Sequence, residues 1–325
     1  MHVVYASNDE YVPFLGISLL SLLVNNNELT VLSIYVLSDD ISDKNQETLS
    51  KLVKRYGRNL EFIDLLKMNE LIPFEFDTSG FHPIVLSRLF LGDLLEDSIN
   101  RVLYLDCDTI VEGSLRELET IYMEKEYVAM VPELYMPEEK KKLVDLCPQD
   151  IYYNAGIILF NLDLIRRDDM KTRFLNYYKR KNGKLLYNDQ DIINHCCKNH
   201  IKRLSHKYNL SPNLRYFPRY FIKQIQPSYY LESRKQYKEI LKNPIIIHFM
   251  GDERPWIRGN YNSYRKNFIK YKKQSPWKEM KMISGQEWYM MCYHILNLIT
   301  EFCPWFRIAF SKLIGINKYD WFGKK

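Results

Sequence analysis

The stretch Arg101–Val111 reads RVLYLDCDTIV and carries the clearest chemistry in the chain. An apolar run, Val102 to Leu105, ends in two carboxylates one residue apart, Asp106 and Asp108. Alternate side chains of an extended strand point the same way, so both carboxylates can reach one cation. Hard cations such as Mg²⁺ and Mn²⁺ favour oxygen ligands. Taken alone, an Asp-x-Asp also fits a solvated strand end. Three further polar groupings and two single charged residues stand beside it. Asn154-Ala155-Gly156 is a small, polar turn that would let a backbone approach a ligand closely. Asn188-Asp189-Gln190-Asp191 offers four polar groups where a helix cap needs one. His248-Phe249-Met250-Gly251-Asp252-Glu253-Arg254-Pro255-Trp256 follows an apolar strand, a place where a lone histidine is usually structural. Arg88, at the start of a helical stretch, fits a surface ion pair as well as a ligand contact, and Glu133 ends another strand.

Strands and helices alternate around these groups. Residues 2–7, Thr30–Leu37, Asn59–Leu65, Val102–Leu105, Tyr127–Val131, Ile157–Phe160 and Pro244–Phe249 read as strands. Helices are expected from the Asn8-Asp9 cap to about Val24, over Ser42–Tyr56, Ser87–Leu95, Glu138–Val144 and Asp163–Lys179, and from Ile192. The alternation predicts an α/β fold with a doubly wound, mostly parallel sheet. Ligands of such sheets bind at the carboxyl ends of the strands, where Asp106 and Asp108 fall. Asn209–Tyr230, rich in Tyr, Phe and Pro, reads as loop and lid rather than core.

The 325 residues can bury a large core and allow one or two domains. Net charge is +6, unevenly spread. Residues 257–325 hold 13 basic and 4 acidic side chains, so the excess belongs to a tail and the preceding body is slightly acidic. No nucleic-acid-binding motif accompanies it. The six cysteines lack Cys-x-x-Cys spacing and fit reduced thiols of a cytoplasmic protein, with Cys107 a small buried filler. Asp9 and Glu10 precede the first apolar stretch, where a signal peptide needs positive charge.

In their order, VYASND, Ser87-Arg88, LYLDCD, YNAGIILFNL, NDQD and HFMGDERPW resemble glycosyltransferase family 8 over about residues 1–256. The family comprises retaining nucleotide-sugar transferases, among them bacterial lipopolysaccharide galactosyl- and glucosyltransferases and glycogenin. The resemblance implies a GT-A fold, a Rossmann-like domain that binds a UDP-sugar and Mn²⁺, with Mg²⁺ as the alternative. It implies that Asp106, Asp108 and His248 are metal ligands. Ala6, Asn8 and Tyr11 would hold uridine and ribose, and Cys107 and Ala155 would flank the donor. Arg88, Asn154, Asp189 and Gln190 would contact the donor sugar, and Gly251 and Arg254 the diphosphate. Arg254 departs from the family's lysine but keeps the charge and adds a bidentate fork. Asn8 stands where relatives often carry Asp. Gln190, with Asp189 beside it, is the catalytic candidate. An amide is a poor nucleophile, so front-face attack with Gln190 stabilising an oxocarbenium-like centre is the economical mechanism. The expected activity is transfer of glucose or galactose to a glycan or lipid-linked acceptor, as in lipopolysaccharide or capsule assembly.

Two other functions fit the same fold: a catalytically silent nucleotide- or sugar-binding protein, and a sugar-1-phosphate nucleotidyltransferase. The second usually has a Gly-rich loop with Arg and Lys after the first strand, where this chain has ASNDEYV. Residues 257–325 are expected to form a separate, helical, basic extension. Trp288, Met291, Ile295, Leu298, Ile299 and Phe302 recur at helical spacing, before Pro304 and the run Trp305, Phe306, Phe310 and Leu313 with Arg307 and Lys312. Basic residues mixed with Trp and Phe suit peripheral attachment to an anionic membrane surface, such as the inner face of the plasma membrane. A helical hairpin packed on the catalytic domain or in a dimer is the alternative.

Overall fold

The computed structural model describes residues 1–65, 83–225 and 232–310. Seven strands form the central sheet: β1 (His2–Asn8), β2 (Ser33–Asp39), β3 (Asn59–Asp64), β4 (Arg101–Leu105), β6 (Val128–Pro132), β7 (Tyr153–Asn161) and β8 (Ile201–Arg203). Their order is β3-β2-β1-β4-β7-β6-β8. All neighbours pair in parallel except β7, which runs antiparallel to both β4 and β6. The sheet is therefore mostly parallel, as expected, with one reversed strand.

Alternation along the central strands feeds two cores. Val3, Tyr5, Leu103 and Leu105 pack into one cluster, and Val4, Val102 and Tyr104 into the other. Burial on both faces is why these strands read as continuous apolar runs rather than as an alternating pattern. The first core is covered by the Val12–Asn25 helix, the second by helices Leu162–Arg167 and Met170–Arg180.

A second sheet of two antiparallel strands, β5 (Thr109–Val111) and β9 (Ile246–His248), lies at the carboxyl end of β4. Its register sets Thr109 opposite His248. That pairing joins a histidine to two aspartates some 140 residues earlier in the chain.

Several expected elements differ in detail. Asn154-Ala155-Gly156 is not a turn but lies inside β7. Opposite β6 the register jumps, from Met130↔Ile158 to Val131↔Asn154, so the segment bulges. A bulge re-aims the backbone next to a site while the strand continues. The expected Asp163–Lys179 helix is two helices, broken where Asp169 turns left-handed (φ 45°) and caps the second through Thr172. Ser87–Leu95 is mostly 3-10 helix, Pro83–Phe90, followed by one short α turn. Asn209–Tyr230 is not a lid over its described part. Leu210, Leu214, Phe221 and Ile222 are buried, because aromatic side chains without periodicity still fill a core when short 3-10 and α segments turn them inward. Residues 226–230 lie outside the described residues.

Over its described part the chain after residue 256 continues without a break in packing. Ile257, Tyr264, Phe268, Tyr271 and Met290 belong to the first core. Trp277 fills the hollow beside Gly16, where a Cβ would stand 1.9 Å from the indole ring. The last helix, Glu287–Phe302, buries Met290, Tyr293, Asn297 and Thr300. Its other face is open: Trp288 is 74% and Phe302 84% exposed, with Met291, Ile295, Leu298 and Ile299 between them. Leu313 and Lys312 lie outside the described residues. Among the described residues, no helix is long and apolar enough to cross a membrane, and all six cysteines are free.

Candidate active site

The carboxyl ends of β1 and β4 meet where strand order changes direction, and a cleft of about 660 Å³ opens there. That volume suits a ligand of nucleotide-sugar size. Every site residue expected from the sequence borders it: Ala6, Asn8, Tyr11, Arg88, Asp106, Cys107, Asp108, Asn154, Ala155, Asp189, Gln190, His248, Gly251 and Arg254.

Three groups able to ligate a cation converge on its floor. One carboxylate oxygen from each of Asp106 and Asp108 and one ring nitrogen of His248 lie within 4.8 Å of one another. His248 Nε2 is 3.1 Å from Asp108 Oδ1 and 3.7 Å from Asp106 Oδ2. Phe249 N–H donates to the Asp108 carbonyl, which extends the β5–β9 pairing to the aspartates. The donor set fits a divalent ion on two counts. Two hard oxygens and one imidazole suit Mn²⁺, and Asp108 Oδ1 is buried without a hydrogen-bond partner. Burial pushes the Asp106 carboxyl up, and the like charge of Asp108 adds to it against Arg88. Asp108 is held below the usual carboxylate range, because His248 and Arg254 outweigh its burial.

Arg88 is not on the surface. It is 6% exposed and lies with its guanidinium carbon 4.0 Å above the Tyr104 ring. Its Nη2 donates to Asp106 Oδ1 at 2.9 Å, and Nη1 donates to the Ala155 carbonyl. Nε forms an ion pair with Asp189 Oδ2 at 3.2 Å, too poorly aligned for a hydrogen bond. One guanidinium thus ties Asp106, the β7 bulge and the NDQD segment together. Burial pushes the Asp189 carboxyl up to about 7, with Arg88 opposing.

The NDQD segment is more than a cap. Asn188 is strained (φ 40°) and makes no side-chain capping bond. Gln190 Oε1 accepts from Ala155 N–H at 2.9 Å, which fixes which end of the amide faces the bulge. Asp191, fully buried, accepts from the Tyr152 hydroxyl and from Tyr187 N–H, and so anchors the turn from behind.

On the opposite wall Asn8 Oδ1 accepts from Tyr11 N–H at 3.1 Å, and Cys107 Sγ donates to the Ala6 carbonyl at 3.2 Å. Cys107 thus both fills space and pins the end of β1. Gly251 has φ 60°, and Arg254 keeps a buried Nε without a hydrogen-bond partner, consistent with an anionic ligand there. Glu133 borders the other end of the cleft with Tyr135, Met136, Tyr152 and Tyr187. Asn154 Nδ2 donates to Glu133 at 2.9 Å, and burial pushes the Glu133 carboxyl up.

Residues 2–259 match the sequence profile of glycosyl transferase family 8. The chain belongs to that family. It is 25% identical over 280 residues to general stress protein A of Bacillus subtilis, covering 85% of this chain and 94% of that one. It is 28% identical over 292 residues to an Escherichia coli lipopolysaccharide 1,2-glucosyltransferase, covering 86% and 80%. It is 23% identical over 313 residues to a lipopolysaccharide 1,3-galactosyltransferase of Salmonella typhimurium, covering 92% and 86%. Among solved structures, the galactosyltransferase LgtC, crystallised with donor and acceptor sugar analogues, superposes with a TM-score of 0.70 at 22% identity, over 89% of this chain and 99% of that one. The fold is therefore GT-A, and the chain is a glycosyltransferase.

The sequence singles out Gly156 only as one of the small residues of Asn154-Ala155-Gly156, and it does not single out Asn209 at all. Asn209, placed by sequence at the edge of a loop, is 5% exposed and sits against His248. Gly156 leaves the space that the His248 ring occupies, since a Cβ there would lie 2.1 Å from Cε1. The only sequence signals were an asparagine before the apolar Leu210 and the small residue itself.

Proposed function

We propose that this family 8 enzyme transfers glucose or galactose, with retention, from a UDP-sugar to a saccharide or lipid-linked acceptor such as a lipopolysaccharide or capsule precursor. The observation that carries it is the convergence of Asp106, Asp108 and His248 on the floor of a cleft whose wall holds Arg88, Asp189 and Gln190. Mn²⁺ is the preferred ion, with Mg²⁺ second; when bound, it supplies Lewis-acid stabilisation to the departing diphosphate. Ala6, Asn8, Tyr11 and Cys107 line the uridine and ribose end. Gly251 allows close backbone approach and Arg254 supplies charge to the diphosphate. Arg88, Asn154, Ala155 and Asp189 border the donor sugar, and Glu133 with its tyrosines faces the acceptor.

Front-face attack suits the geometry best. Asp189 is engaged with Arg88, so it is poorly placed as a free nucleophile. Gln190, its oxygen fixed on Ala155 N–H, can place partial negative charge beside an oxocarbenium-like centre without reorganising. The acceptor hydroxyl would then enter on the face UDP leaves and give its proton to a phosphate oxygen.

The test is incubation with UDP-glucose or UDP-galactose. UDP release that needs Mn²⁺ and stops in excess EDTA is the expected result. Full turnover in EDTA would refute the metal assignment. Binding without turnover would favour a silent binding protein, and pyrophosphate formation from UTP and a sugar phosphate would favour a nucleotidyltransferase.

We also propose that residues 257–325 hold the enzyme peripherally on an anionic membrane surface, the cytoplasmic face in a bacterium. The Trp288–Phe302 face is apolar and uncovered, Trp305 and Phe306 continue it, and Lys266, Lys270 and Lys273 are exposed on the preceding helix, Arg265–Gln274. A lipid-linked acceptor would be met at that surface.

A further inference from the structure

We propose that Asn209 is a positioning residue. It holds His248 as the Nδ1–H tautomer and leaves the Nε2 lone pair directed at the two aspartates. The assignment follows from hydrogen-bond logic that starts at a backbone donor, where no ambiguity exists. Gly156 N–H can only donate, and it lies 2.9 Å from one side-chain atom of Asn154, so that atom is Oδ1. The other end of the same amide is then the NH₂ group, and it donates to Glu133 at 2.9 Å. The backbone donor thus fixes both ends of Asn154.

The next link is then determined. Asn209 approaches Asn154 Oδ1 at 2.8 Å, so it does so with its own NH₂ group. Its oxygen is left facing His248 Nδ1 at 3.0 Å. An amide oxygen has no hydrogen to offer, so Nδ1 must carry one. The remaining ring nitrogen, Nε2, is the atom 3.1 Å from Asp108 Oδ1. Donors thus run one way, from His248 through Asn209 and Asn154 to Glu133.

The chain is rigid as well as oriented. Asn209, Asn154 and His248 are 5%, 7% and 3% exposed, so water does not compete for these bonds. Leu210, next to Asn209, is stitched to β9 on both sides: its N–H donates to the Ile246 carbonyl, and its carbonyl accepts from His248 N–H. Asn209 and His248 therefore cannot drift apart without breaking strand pairing. A ligating histidine whose second ring nitrogen donates to an outer partner is held in orientation and made more basic, and losing that partner typically costs about 10–100-fold in metal affinity. The tautomer assignment stands on the hydrogen bonds alone; its consequence for affinity rests on the metal assignment proposed above.

The experiment combines two readouts. Long-range ¹H–¹⁵N spectra of histidine-labelled, metal-free protein, recorded at the alkaline end of a pH series where the ring is neutral, report which nitrogen of His248 bears the proton. Mn²⁺ affinity is read by electron paramagnetic resonance of the free ion. Wild type should show Nδ1–H. Asn209→Leu should shift the proton towards Nε2 and weaken Mn²⁺ binding by about 10–100-fold, while Asn209→Asp, which keeps an acceptor, should retain both the tautomer and most of the affinity. An Nε2–H ring in wild type would overturn the proposal, and that spectrum is informative even if the leucine variant does not fold. Folded Asn209→Leu with unchanged Mn²⁺ affinity would also overturn it. Nδ1–H in a wild-type protein that binds no Mn²⁺ would uphold the positioning role and refute the metal assignment instead.

Discussion

Replacing Gly156 by alanine gives the sharpest test of how the site is built. An added Cβ would stand 2.1 Å from His248 Cε1, 2.7 Å from Nδ1 and 2.8 Å from Nε2. Carbon atoms in contact sit about 3.5–4.0 Å apart, so roughly 1.5 Å of separation must be found. The backbone at 156 has little to give, because its carbonyl accepts from Asp106 N–H and its N–H donates to Asn154. The ring must move instead, and it is hydrogen-bonded to Asn209 at 3.0 Å on one side while its Nε2 faces Asp108 at 3.1 Å on the other. A displacement of that size breaks the bond to Asn209 or carries Nε2 away from the aspartates. Overpacking of this kind typically costs about 1–3 kcal/mol of stability, and misplacement of a reacting or ligating group by about 1 Å can cost about 10²-fold in rate. Gly156→Ala should therefore fold with a lowered Tm, bind Mn²⁺ at least about 10-fold more weakly, and lose kcat/KM by about 10²-fold. Calorimetry, Mn²⁺ resonance titration and UDP release measure the three. A folded variant with wild-type Mn²⁺ affinity would refute the placement of His248 in the metal site, even if its Tm had fallen.

In the proposed mechanism Gln190 stabilises charge that develops only in the transition state, so Gln190→Ala should lower kcat by about 10²–10³-fold with little change in donor KM; an unchanged kcat removes Gln190 from the mechanism. Membrane attachment is best probed by Trp288→Ser, Ile295→Ser and Phe302→Ser together, because truncation would also remove Met290 and Tyr293 from the packed side. Wild type should float with phosphatidylglycerol vesicles at low salt and release partly as charge attraction is screened beyond about 10 Å at 0.1 M, and equal flotation of the variant would sink the proposal. Glu253, fully buried under Tyr293, has its carboxyl pushed up to about 7 by burial, so the folded state prefers the protonated form. Stability from this group is present below its unfolded pKa near 4.5 and is lost as pH rises through 7, a penalty of about 3 kcal/mol. Glu253→Gln should then raise the Tm at pH 8 relative to wild type and change it little at pH 5.

What the sequence disclosed and what it hid divide along a physical line. Strand runs and the carboxylates that end them are local: Val102–Leu105 must be buried, Asp106 cannot be buried unpaired, and the boundary between them is visible in six letters. Periodicity was equally informative for the last helix. The face drawn from Trp288 to Phe302 is one face of a real helix, but it is the outer one, because a repeat reports which residues share a side and not which side meets the core. Arg88 shows the opposite case. Its type suggested a surface ion pair as readily as a site, and only the Tyr104 ring beneath it and the carboxylates on two sides explain a buried guanidinium.

What Asn209 and Gly156 do was hidden for a different reason. Neither touches a ligand group through any local pattern. Each acts on His248 across tens of residues, one by filling the hydrogen-bonding need of Nδ1, the other by being absent where a methyl group would stand. Such roles exist only once β5 pairs with β9 and β7 bulges against β6. The ligands of a site follow from residue chemistry and strand ends, whereas the residues that orient those ligands follow from register. A single-position shift of β9 against β5 would turn His248 to the other side of its ribbon and leave Asp106 and Asp108 without a third partner. The register is set by Leu210 and Phe249, both fully buried and both bonded across to the neighbouring segments. Apolar residues with no chemistry of their own thus decide whether the three ligating groups meet.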